Sequence, residues 1–418
     1  MKTQVCVIGA GPAGLMAAVA AAENGAKTAI AESNTAAGRK LLCTGRMRCN
    51  LTHTGSVDDF VKVYGPSGLF LRHALHEFSA DHLRRYFAQQ GLQTKVEKPG
   101  CVFPVTNRAT DVKRVLLDHA RRLSVRFLYA RPARKITKAT DHFLIETSLD
   151  RITALSVIIA TGGLTWPHTG STGDGYEFAR SFGHTIVQPR ACLVRLVTAE
   201  PWCGALAGVG IENVVITASL EKRRFRTAGP MLFTANGIGG PAVFDLSRHI
   251  TDFLPNKAQP VKIKIDLLPH YDSDQLDRHI ISLCSANPKK ELAGVLSRLL
   301  PRSLALRITS QLSASPTLAG RLQKKQRTEL VKMLKQLPLS IESTAPIAEA
   351  TITRGGVSTE EIDRKTMESK LCPGLFFAGE VIDADGPTGG YNLQIAFSTA
   401  HLAGTSAARK TITPKTPY

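Results

Sequence analysis

Apolar runs and glycines at the start of the chain predict a strand–helix–strand unit. Residues 5–14 hold a short apolar run that passes directly into a G-x-G-x-x-G pattern. An alanine-rich helix is predicted from about Pro12 to Asn24, with Gly25 as its stop, and a second apolar strand follows at 27–31. An acid, Glu32, closes that second run. This order within about thirty residues is typical of a dinucleotide-binding βαβ unit.

Each glycine of the pattern has a physical task in such a unit. Gly9 permits the tight turn, Gly11 lets the backbone approach a pyrophosphate, and Gly14 lets the helix pack closely against the strand. The helix N-terminus faces the phosphate charge. Glu32 would accept hydrogen bonds from a ribose diol, which favours an adenosine without a 2′-phosphate. The predicted cofactor-binding residues here are Gly9, Gly11, Pro12, Ala13, Gly14 and Glu32.

Two later strands end in small residues and predict further parts of the same site. The apolar run at 155–160 is followed by Thr161, Gly162 and Gly163, and a glycine-rich loop then leads into a helix that begins near Tyr176. This A-T-G-G element is typical of the adenosine side of an FAD site. It adds Thr161, Gly162 and Gly163 to the predicted cofactor-binding residues.

The last strand, at 374–378, ends in Gly379 and Glu380 and precedes a helix from about 390 to 404. Asp383 is predicted to meet the ribityl hydroxyls of a flavin. The helix N-terminus is predicted to face the flavin N1–C2=O edge, where its dipole stabilises the anionic reduced form. The first and last parts of the chain are therefore predicted to build one site.

Between these parts the pattern changes to alternating strands and then to helical stretches. The predicted fold class is α/β: a two-dinucleotide-binding, Rossmann-like FAD domain of the glutathione reductase type with an inserted β-rich and helical domain. The predicted divisions are 1–189 for the first part of the FAD-binding domain, 190–350 for an inserted substrate domain with a β part at 190–270 and a helical part at 271–340, 351–410 for the second part of the FAD-binding domain, and 411–418 for a disordered tail.

The hydrophobic content is that of an ordinary soluble protein. The 418 residues are 43% hydrophobic, and glycines and Glu23 interrupt the apolar N-terminal stretch, so neither a membrane span nor a targeting segment is expected. Eight cysteines are scattered without a C-x-x-C, which predicts no metal site and favours a reducing, cytoplasmic location. Cys43 and Cys49 are separated by five residues, and the sequence leaves open whether they form a redox-active disulfide.

Positive charge is the strongest compositional signal. Lys and Arg number 53 against 34 Asp and Glu, which gives a net charge of +19. Such an excess attracts polyphosphate backbones by counterion release, although any one cluster could also be a solvated helix face. The clusters lie at 84–85, 113–114, 121–126, 222–226 and 321–327. A nucleic acid is therefore a candidate partner, with a small-molecule substrate as the alternative.

Several motifs together resemble the aminoacetone oxidase-like and bile-acid reductase-like FAD-dependent oxidoreductases, a family that includes a ribosomal RNA dihydrouridine synthase. They are Gly38-Arg39-Lys40-Leu41-Leu42, Arg48-Cys49-Asn50-Leu51-Thr52, the loop from Thr169 to Gly175, Gly355-Gly356-Val357-Ser358 and Gly389-Gly390-Tyr391-Asn392. The resemblance implies FAD as cofactor. Together with the two late strand ends, it predicts as further cofactor-binding residues Arg39, Lys40, Asn50, Asp174, Gly379, Glu380, Asp383, Gly390, Tyr391, Asn392 and Leu393.

The resemblance also implies a chemistry. Reduced flavin would give hydride to an electron-poor C=C bond, and an acid would protonate the neighbouring carbon. Cys49 is the candidate proton donor, unless it packs against the flavin, and Arg48 is a candidate electrostatic aid to an enolate-like oxygen. His53, His168 and His184 are other candidate donors. With no second G-x-G-x-x-G after a strand, NAD(P)H is expected to dock transiently over the flavin.

The chain also departs from the family. Members usually carry three glycines before Arg-Cys-Asn, whereas this sequence reads Gly45-Arg46-Met47. Because glycine reaches positive φ freely and these residues do not, the substitutions predict a reshaped loop near the flavin. Substrate identity by resemblance is correspondingly weaker than cofactor identity.

Three functions follow from these observations. The leading one is an FAD-dependent reductase that converts a uridine of 23S ribosomal RNA to dihydrouridine. The second is an FAD-dependent reductase or oxidase of a small enone or amino-ketone. The third is a non-catalytic flavoprotein that binds ribosomal RNA.

Overall fold

The computed structural model describes residues 1–45, 47–220, 223–254, 260–313 and 318–412. The chain divides into two compact units. The first holds Met1–Arg190 and the residues from Ile347 onward, and the second holds Ala191–Pro346. The predicted insert at 190–350 has nearly these bounds. Within the described residues, no helix is both long enough and apolar enough to cross a membrane.

The first unit contains the N-terminal βαβ pattern and the late strand in one sheet. Its strands are β1 (Lys2–Ile8), β2 (Thr28–Ala31), β3 (Thr52–His53), β4 (Thr94–Glu97), β5 (Cys101–Pro104), β6 (Arg126–Leu128), β7 (Ala133–Lys138), β8 (Phe143–Thr147), β9 (Arg151–Ile159), β17 (Ile352–Val357) and β18 (Leu375–Phe377), and β10 (Ile186–Cys192) begins in this unit. Its helices are α1 (Pro12–Glu23), α2 (Val57–Tyr64), α3 (Gly68–Glu77), α4 (Ala80–Gln89), α5 (Ala109–Arg122), α6 (Asp174–Ser181) and α13 (Tyr391–Ile412).

The main sheet runs in the order β6-β2-β1-β9-β8-β7, with β18 beside β9. Strands β6, β2, β1, β9 and β18 are parallel, and β8 and β7 are antiparallel. Strands β3, β5 and β4 form a separate antiparallel sheet, and β10 pairs with β17. The parallel strands bring the loops that follow β1, β9 and β18 to one edge of the sheet, where open α/β sheets bind their ligands.

Helix α1 forms as the sequence predicts. Pro12 occupies its first turn, residues 13–21 are buried, and Gly25 follows at φ +84° as a glycine stop. The buried alanines leave little side-chain bulk between α1 and its neighbours. This helix can therefore pack closely against both the sheet and α13.

Helix α13 is longer than predicted. The sequence pattern placed its end near Gly404, but the helix continues to Ile412. Gly404 lies where α13 crosses α1, and a Cβ there would stand 2.2 Å from the Ala17 carbonyl oxygen. This glycine serves close helix packing and not termination. The predicted tail at 411–418 is wrong for its first two residues, and 413–418 lie outside the described residues.

The second unit is a closed barrel with helices. The barrel order is β11-β14-β13-β12-β15-β16. Its strands are β11 (Leu196–Thr198), β12 (Gly210–Leu220), β13 (Arg223–Thr234), β14 (Gly237–Gly239), β15 (Val261–Asp266) and β16 (Leu337–Thr344), and its helices are α7 (Trp202–Ala205), α8 (Pro241–Ile250), α9 (Ser273–Ser285), α10 (Leu292–Leu296), α11 (Arg302–Thr309) and α12 (Lys324–Lys335).

Two details of the predicted insert are wrong. The predicted β part at 190–270 also contains α7 and α8. The predicted helical part at 271–340 includes the start of β16, because Leu337, Leu339 and Ile341 alternate into the barrel core and this strand pairs with β11 and β15. Closing the barrel needs this strand, which comes after four helices in the sequence.

Candidate FAD site

The glycine loop after β1 has the geometry that its sequence predicts. Gly9 has a φ of +98°, and a Cβ there would lie 2.8 Å from the Ala160 carbonyl oxygen. A Cβ on Gly14 would lie 1.9 Å from the Gly9 carbonyl oxygen, so helix and turn are in contact. An added Cβ on Gly11 would meet no atom within 4 Å. Helix α1 starts at Pro12 with no side-chain cap, so open space and free N–H groups coincide there.

Glu32 braces this loop from the end of β2. The side chain is 7% exposed, and its Oε2 accepts a hydrogen bond from the Ala10 N–H at 2.7 Å. Its Oε1 accepts hydrogen bonds from the Asn34 N–H (2.8 Å) and side-chain amide (2.7 Å) and from the Ser33 hydroxyl (3.3 Å). The Arg39 guanidinium donates to Asn34 Oδ1 at 2.6 Å. Because Oε2 accepts from one protein donor here, it keeps acceptor capacity for a ribose hydroxyl.

The two ends of the chain meet at the start of α1. Gly379 has a φ of +76°, and a Cβ there would lie 2.7 Å from the Ala13 side chain. The turn after β18 therefore lies directly against the first turn of α1. This contact brings Gly379 and Ala13, two predicted cofactor-binding residues 366 positions apart in the sequence, to the same edge of the sheet.

A polar network adjoins that turn. Lys40 donates through Nζ to Glu380 Oε2 (2.7 Å) and Thr165 Oγ1 (2.6 Å). Glu380 Oε1 accepts from the Thr353 N–H (2.8 Å) and the Thr165 hydroxyl (3.3 Å). A Cβ on Gly163 would lie 2.2 Å from Thr353 Oγ1. Lys40 and Glu380 therefore form a pair. The Thr165 hydroxyl contacts both side chains and the Thr353 N–H contacts Glu380, and neither threonine was among the predicted site residues.

The loop after β9 meets the start of α6. Gly162 has a φ of +78°, and a Cβ on Gly175 would lie 2.1 Å from the Thr161 hydroxyl. Helix α6 begins at Asp174, slightly before the predicted start, and the exposed Asp174 carboxylate accepts a hydrogen bond from the Thr172 hydroxyl at 2.8 Å. The predicted glycine loop and the A-T-G-G element are thus packed together.

The Arg-Cys-Asn motif meets the Gly-Gly-Tyr-Asn motif. A Cβ on Gly390 would lie 2.4 Å from the Thr52 carbonyl oxygen and 2.8 Å from Asn50 Oδ1. Asn50 Oδ1 is buried and has no hydrogen-bond partner. The Tyr391 ring stacks on His53 with centroids 4.9 Å apart. An orphaned buried acceptor in a glycine-lined position is typical of a site that a ligand donor completes.

Three other predicted residues lie in the segment that leads into α13 and forms its first turn. Asn392 does not point its amide group to open space, because the amide hydrogen bonds with the backbone at 386–387. Leu393 follows it in the first turn of the helix. The Asp383 N–H donates to the Val357 carbonyl at 2.9 Å, which fixes the backbone of this residue near β17.

The structure encloses the Cys49 thiol. Cys49 has a φ of +61° and is 0% exposed, and burial raises the pKa of its thiol to about 12, despite a hydrogen bond with Thr44 that lowers it. The thiol therefore keeps its proton at neutral pH and is no thiolate nucleophile. Cys43 is exposed, and both thiols are free. The donor role of Cys49 stays a prediction, and it requires the substrate to reach an enclosed sulphur.

Arg48 is bound to neighbouring groups. Its guanidinium pairs with Glu97 at 2.5 Å, donates to Asn107 Oδ1 at 2.8 and 3.1 Å, and lies over the Phe103 ring at 4.1 Å. These contacts join the Arg-Cys-Asn loop to β4 and β5. The predicted electrostatic role of Arg48 stays a prediction, and the structure assigns the side chain a loop-holding role.

The non-glycine residues before this motif were expected to reshape the loop by avoiding positive φ. Met47 does not avoid it, since its φ is +66° and its side chain is 74% exposed. The expectation is wrong at this position, because an outward-pointing side chain can accept the left-handed conformation at a modest energetic cost. Arg46 lies outside the described residues.

The candidate histidines differ in position. His184 is buried, with Nε2 2.7 Å from the Ser369 hydroxyl and Nδ1 3.2 Å from Glu361. His168 lies in an exposed turn. His53 is the one of the three that stacks on Tyr391, and its Nδ1 lies 2.7 Å from the Thr54 carbonyl. His53 therefore lies beside the contact of the two motifs.

These features fit the pyrophosphate and the ring of a dinucleotide cofactor. The open space at Gly11 coincides with unpaired N–H groups, and the orphaned Asn50 oxygen faces a glycine. Ala13, Gly379, Glu380, Lys40 and Gly163 form one continuous set of contacts, whereas Arg48 joins a different sheet. Among the described residues no group of His, Cys, Asp and Glu has the arrangement of a metal site.

Comparisons with known proteins agree with this geometry. The family model described as "HI0933-like protein Rossmann domain" matches residues 3–406. A "3-dehydro-bile acid delta(4,6)-reductase" of Clostridium scindens is 34% identical over 97% of this chain and 99% of its own length. A "Ribosomal RNA dihydrouridine synthase" of Haemophilus influenzae is 30% identical over 97% of this chain and 98% of its own.

A solved structure shares the fold. The 3-ketosteroid-Δ4-(5α)-dehydrogenase of Rhodococcus jostii superposes with a TM-score of 0.54 at 15% identity, covering 97% of each chain. The resemblance seen in the motifs and the predicted fold class are confirmed. The chain belongs to the HI0933-like Rossmann family, and it is an FAD-dependent oxidoreductase.

Proposed function

We propose that this enzyme reduces a C=C bond of a uridine in large-subunit ribosomal RNA, which yields dihydrouridine, with NAD(P)H as a transient reductant. FAD, when bound, supplies the hydride for this reaction. The residues proposed to hold it are those of the Gly9–Gly14 loop, Glu32, the Lys40–Glu380 pair and the Asn50–Gly390 contact.

The exposed positive charge is the main observation that supports RNA as the substrate. The net charge of +19 is far above what a small neutral substrate requires, and polyanion binding is the use that such a charge serves best. The clusters are not equivalent. On α5, Arg114 and Arg121 pair with Asp111 and Asp118, whereas on the barrel strands basic side chains are exposed in rows.

The protein residues have two tasks in the proposed reaction. The network around Lys40 and Glu380 holds the turn after β18 against α1, so the cofactor site keeps its shape. A proton must also reach the carbon next to the hydride acceptor. We propose Cys49 for this step, with His53 as the alternative, because both residues belong to the segment that contacts Gly390 and Tyr391.

The experiment is turnover by the purified FAD-loaded protein. Ribosomal RNA from cells that lack the gene would be incubated with the protein and NADPH or NADH, and dihydrouridine would be mapped by mass spectrometry. One new dihydrouridine in 23S RNA, dependent on the reductant, is the expected result. Cys49→Ala and His53→Gln, each checked for unchanged FAD content, identify the proton donor by which variant loses turnover.

A small enone is the second candidate substrate, favoured by the 34% identity with the bile-acid reductase over 97% of the chain. The same assay with a 3-keto-4-ene steroid in place of RNA tests it. Steroid-dependent NAD(P)H oxidation with unmodified RNA would replace the leading proposal. Reduction of the bound FAD with no turnover of either acceptor would instead indicate a non-catalytic RNA-binding flavoprotein.

A further inference from the structure

Basic side chains form two rows on the outer face of the barrel. In one row, Arg226 of β13 pairs in register with Thr217 of β12, which pairs with Lys264 of β15. In the other, Arg224 pairs with Ser219. Lys262 lies two residues before Lys264, on the same face of β15. We call Arg224, Arg226, Lys262 and Lys264, with the hydroxyls of Thr217 and Ser219, the barrel basic face.

The alternation of inward and outward side chains along the strands determines which residues form the barrel basic face. Ile216, Ala218, Ile263 and Ile265 point into the barrel core and are buried. The residues between them must therefore point outward. The four basic side chains are exposed. The inward set fixes the register, so the outward set cannot turn inward without exposing the core.

Sheet geometry gives the barrel basic face its dimensions. Neighbouring strands lie about 4.8 Å apart, and residues two apart on one strand lie about 6.8 Å apart. The four cations therefore stand at the corners of a rectangle of roughly 7 by 10 Å, measured between Cα positions. Their long side chains reach beyond these limits, so the face presents a continuous field of positive charge.

Among the described residues, two carboxylates of the neighbouring strand positions lie at the margin of these rows. Asp266 is two residues beyond Lys264, and it pairs with Lys335 at 2.7 Å. Glu342 is exposed two residues beyond Ser340, which pairs with Lys262. Neither acid lies at a position between the four cations. In this the face differs from α5, where acids one turn away pair with the basic residues.

We propose that the barrel basic face docks the phosphate backbone of an RNA helix; this inference rests on the proposed function, whose RNA partner it places on a named surface. Arginine, lysine and hydroxyl side chains are the groups that contact phosphate and ribose oxygens. The positions of the face hold no aromatic ring on which unpaired bases would stack. The face therefore binds backbone without reading sequence, and the cofactor site selects the base.

The test is a salt titration with the FAD-loaded full chain and a 16-base-pair RNA duplex as probe. The double variant Arg226→Gln/Lys264→Gln removes one row, and Arg114→Gln/Arg121→Gln removes two paired charges from α5 as the matched control. Each lost phosphate contact reduces the magnitude of the negative slope of log K against log[salt] by about 0.7 to 0.9. For the row variant, Arg226→Gln/Lys264→Gln, the magnitude of the slope should fall by about 1.4 to 1.8. This variant should bind the duplex roughly 25- to 60-fold more weakly at 0.1 M salt.

The control should keep wild-type affinity and slope. Equal losses in both double variants would overturn the inference, since the effect would then follow net charge alone. Displacement of the duplex by polyglutamate at equal charge concentration would also overturn it, in favour of an acidic protein partner. Unchanged circular dichroism and FAD content exclude misfolding as the cause of weaker binding.

Duplex binding and dihydrouridine formation together distinguish a wrong docking surface from a wrong reaction. If the row variant binds the duplex normally while wild-type protein forms dihydrouridine, RNA docks elsewhere and the function stands. If the row variant loses binding but no dihydrouridine depends on the enzyme, the docking surface stands and the reaction is wrong. Absence of duplex binding by the wild type overturns the docking surface directly.

Discussion

A methyl group at Gly11 should weaken FAD binding without unfolding the protein. Gly11 has a φ of −72° and ψ of −178°, which alanine adopts readily, and an added Cβ meets no protein atom within 4 Å. The space that the methyl group would fill is the space assigned to the pyrophosphate. The effect of Gly11→Ala on FAD affinity can therefore be separated from its effect on the stability of the fold.

The magnitudes follow from this geometry. Alanine in place of glycine at a helix N-cap costs about 0.5–1 kcal/mol, and the lower entropy of the unfolded chain offsets about 0.4–1 kcal/mol. The free energy of unfolding of the FAD-free protein should change by less than about 1 kcal/mol. An inserted methyl group in a filled site costs about 1–3 kcal/mol, which raises the FAD dissociation constant about 5- to 140-fold.

Two glycines provide controls. Gly294→Ala also meets no atom within 4 Å, and it lies in α10 of the other unit, so FAD affinity should not change. Gly14→Ala places a Cβ 1.9 Å from a backbone oxygen and should destabilise the fold together with FAD binding. The measurements are flavin fluorescence titration and urea unfolding of the FAD-free protein. Wild-type FAD affinity in Gly11→Ala would refute the placement of the pyrophosphate at this loop.

Further predictions concern the network and the titration of stability. Glu380→Ala leaves the Thr353 N–H without its acceptor and Lys40 without its carboxylate partner, and it should cost about 2–4 kcal/mol by urea unfolding, since both side chains of the pair are only about a fifth exposed. Additive losses in a cycle with Lys40→Met would contradict the pairing. Burial lowers the pKa of His401, which stacks on Phe78 at 4.5 Å. The unfolded chain then binds this proton more readily, so stability falls as pH drops through about 6.5. His401→Gln should show a shallower fall between pH 7.5 and 5.5, and a fall as steep as that of the wild type would argue against the assignment.

The predictions from sequence succeeded where the cause is local. A glycine at positive φ, a proline in a first turn and an apolar run are decided by neighbouring residues, so Gly9, Pro12 and Gly25 were read correctly. The meeting of the first and last segments was also predictable, because strand ends of a parallel sheet share one edge.

The predictions that failed concern features that depend on distant parts of the chain. Gly404 looks like a helix stop in sequence, and only the crossing with α1 shows why a glycine is needed within the helix. Strand β16 follows four helices, and its role appears only when the barrel closes. Thr165 and Thr353 are unremarkable in sequence, since their importance comes from hydrogen bonds to Glu380 across more than 25 residues.

Dihydrouridine mapping in 23S ribosomal RNA from cells with and without the gene tests the proposed reaction most directly. One dihydrouridine should disappear on deletion of the gene and return with a wild-type copy. A Gly11→Ala copy should restore it only partly, in line with its weaker FAD binding. An identical dihydrouridine map in both strains would contradict the proposed reaction and favour small enones as substrates.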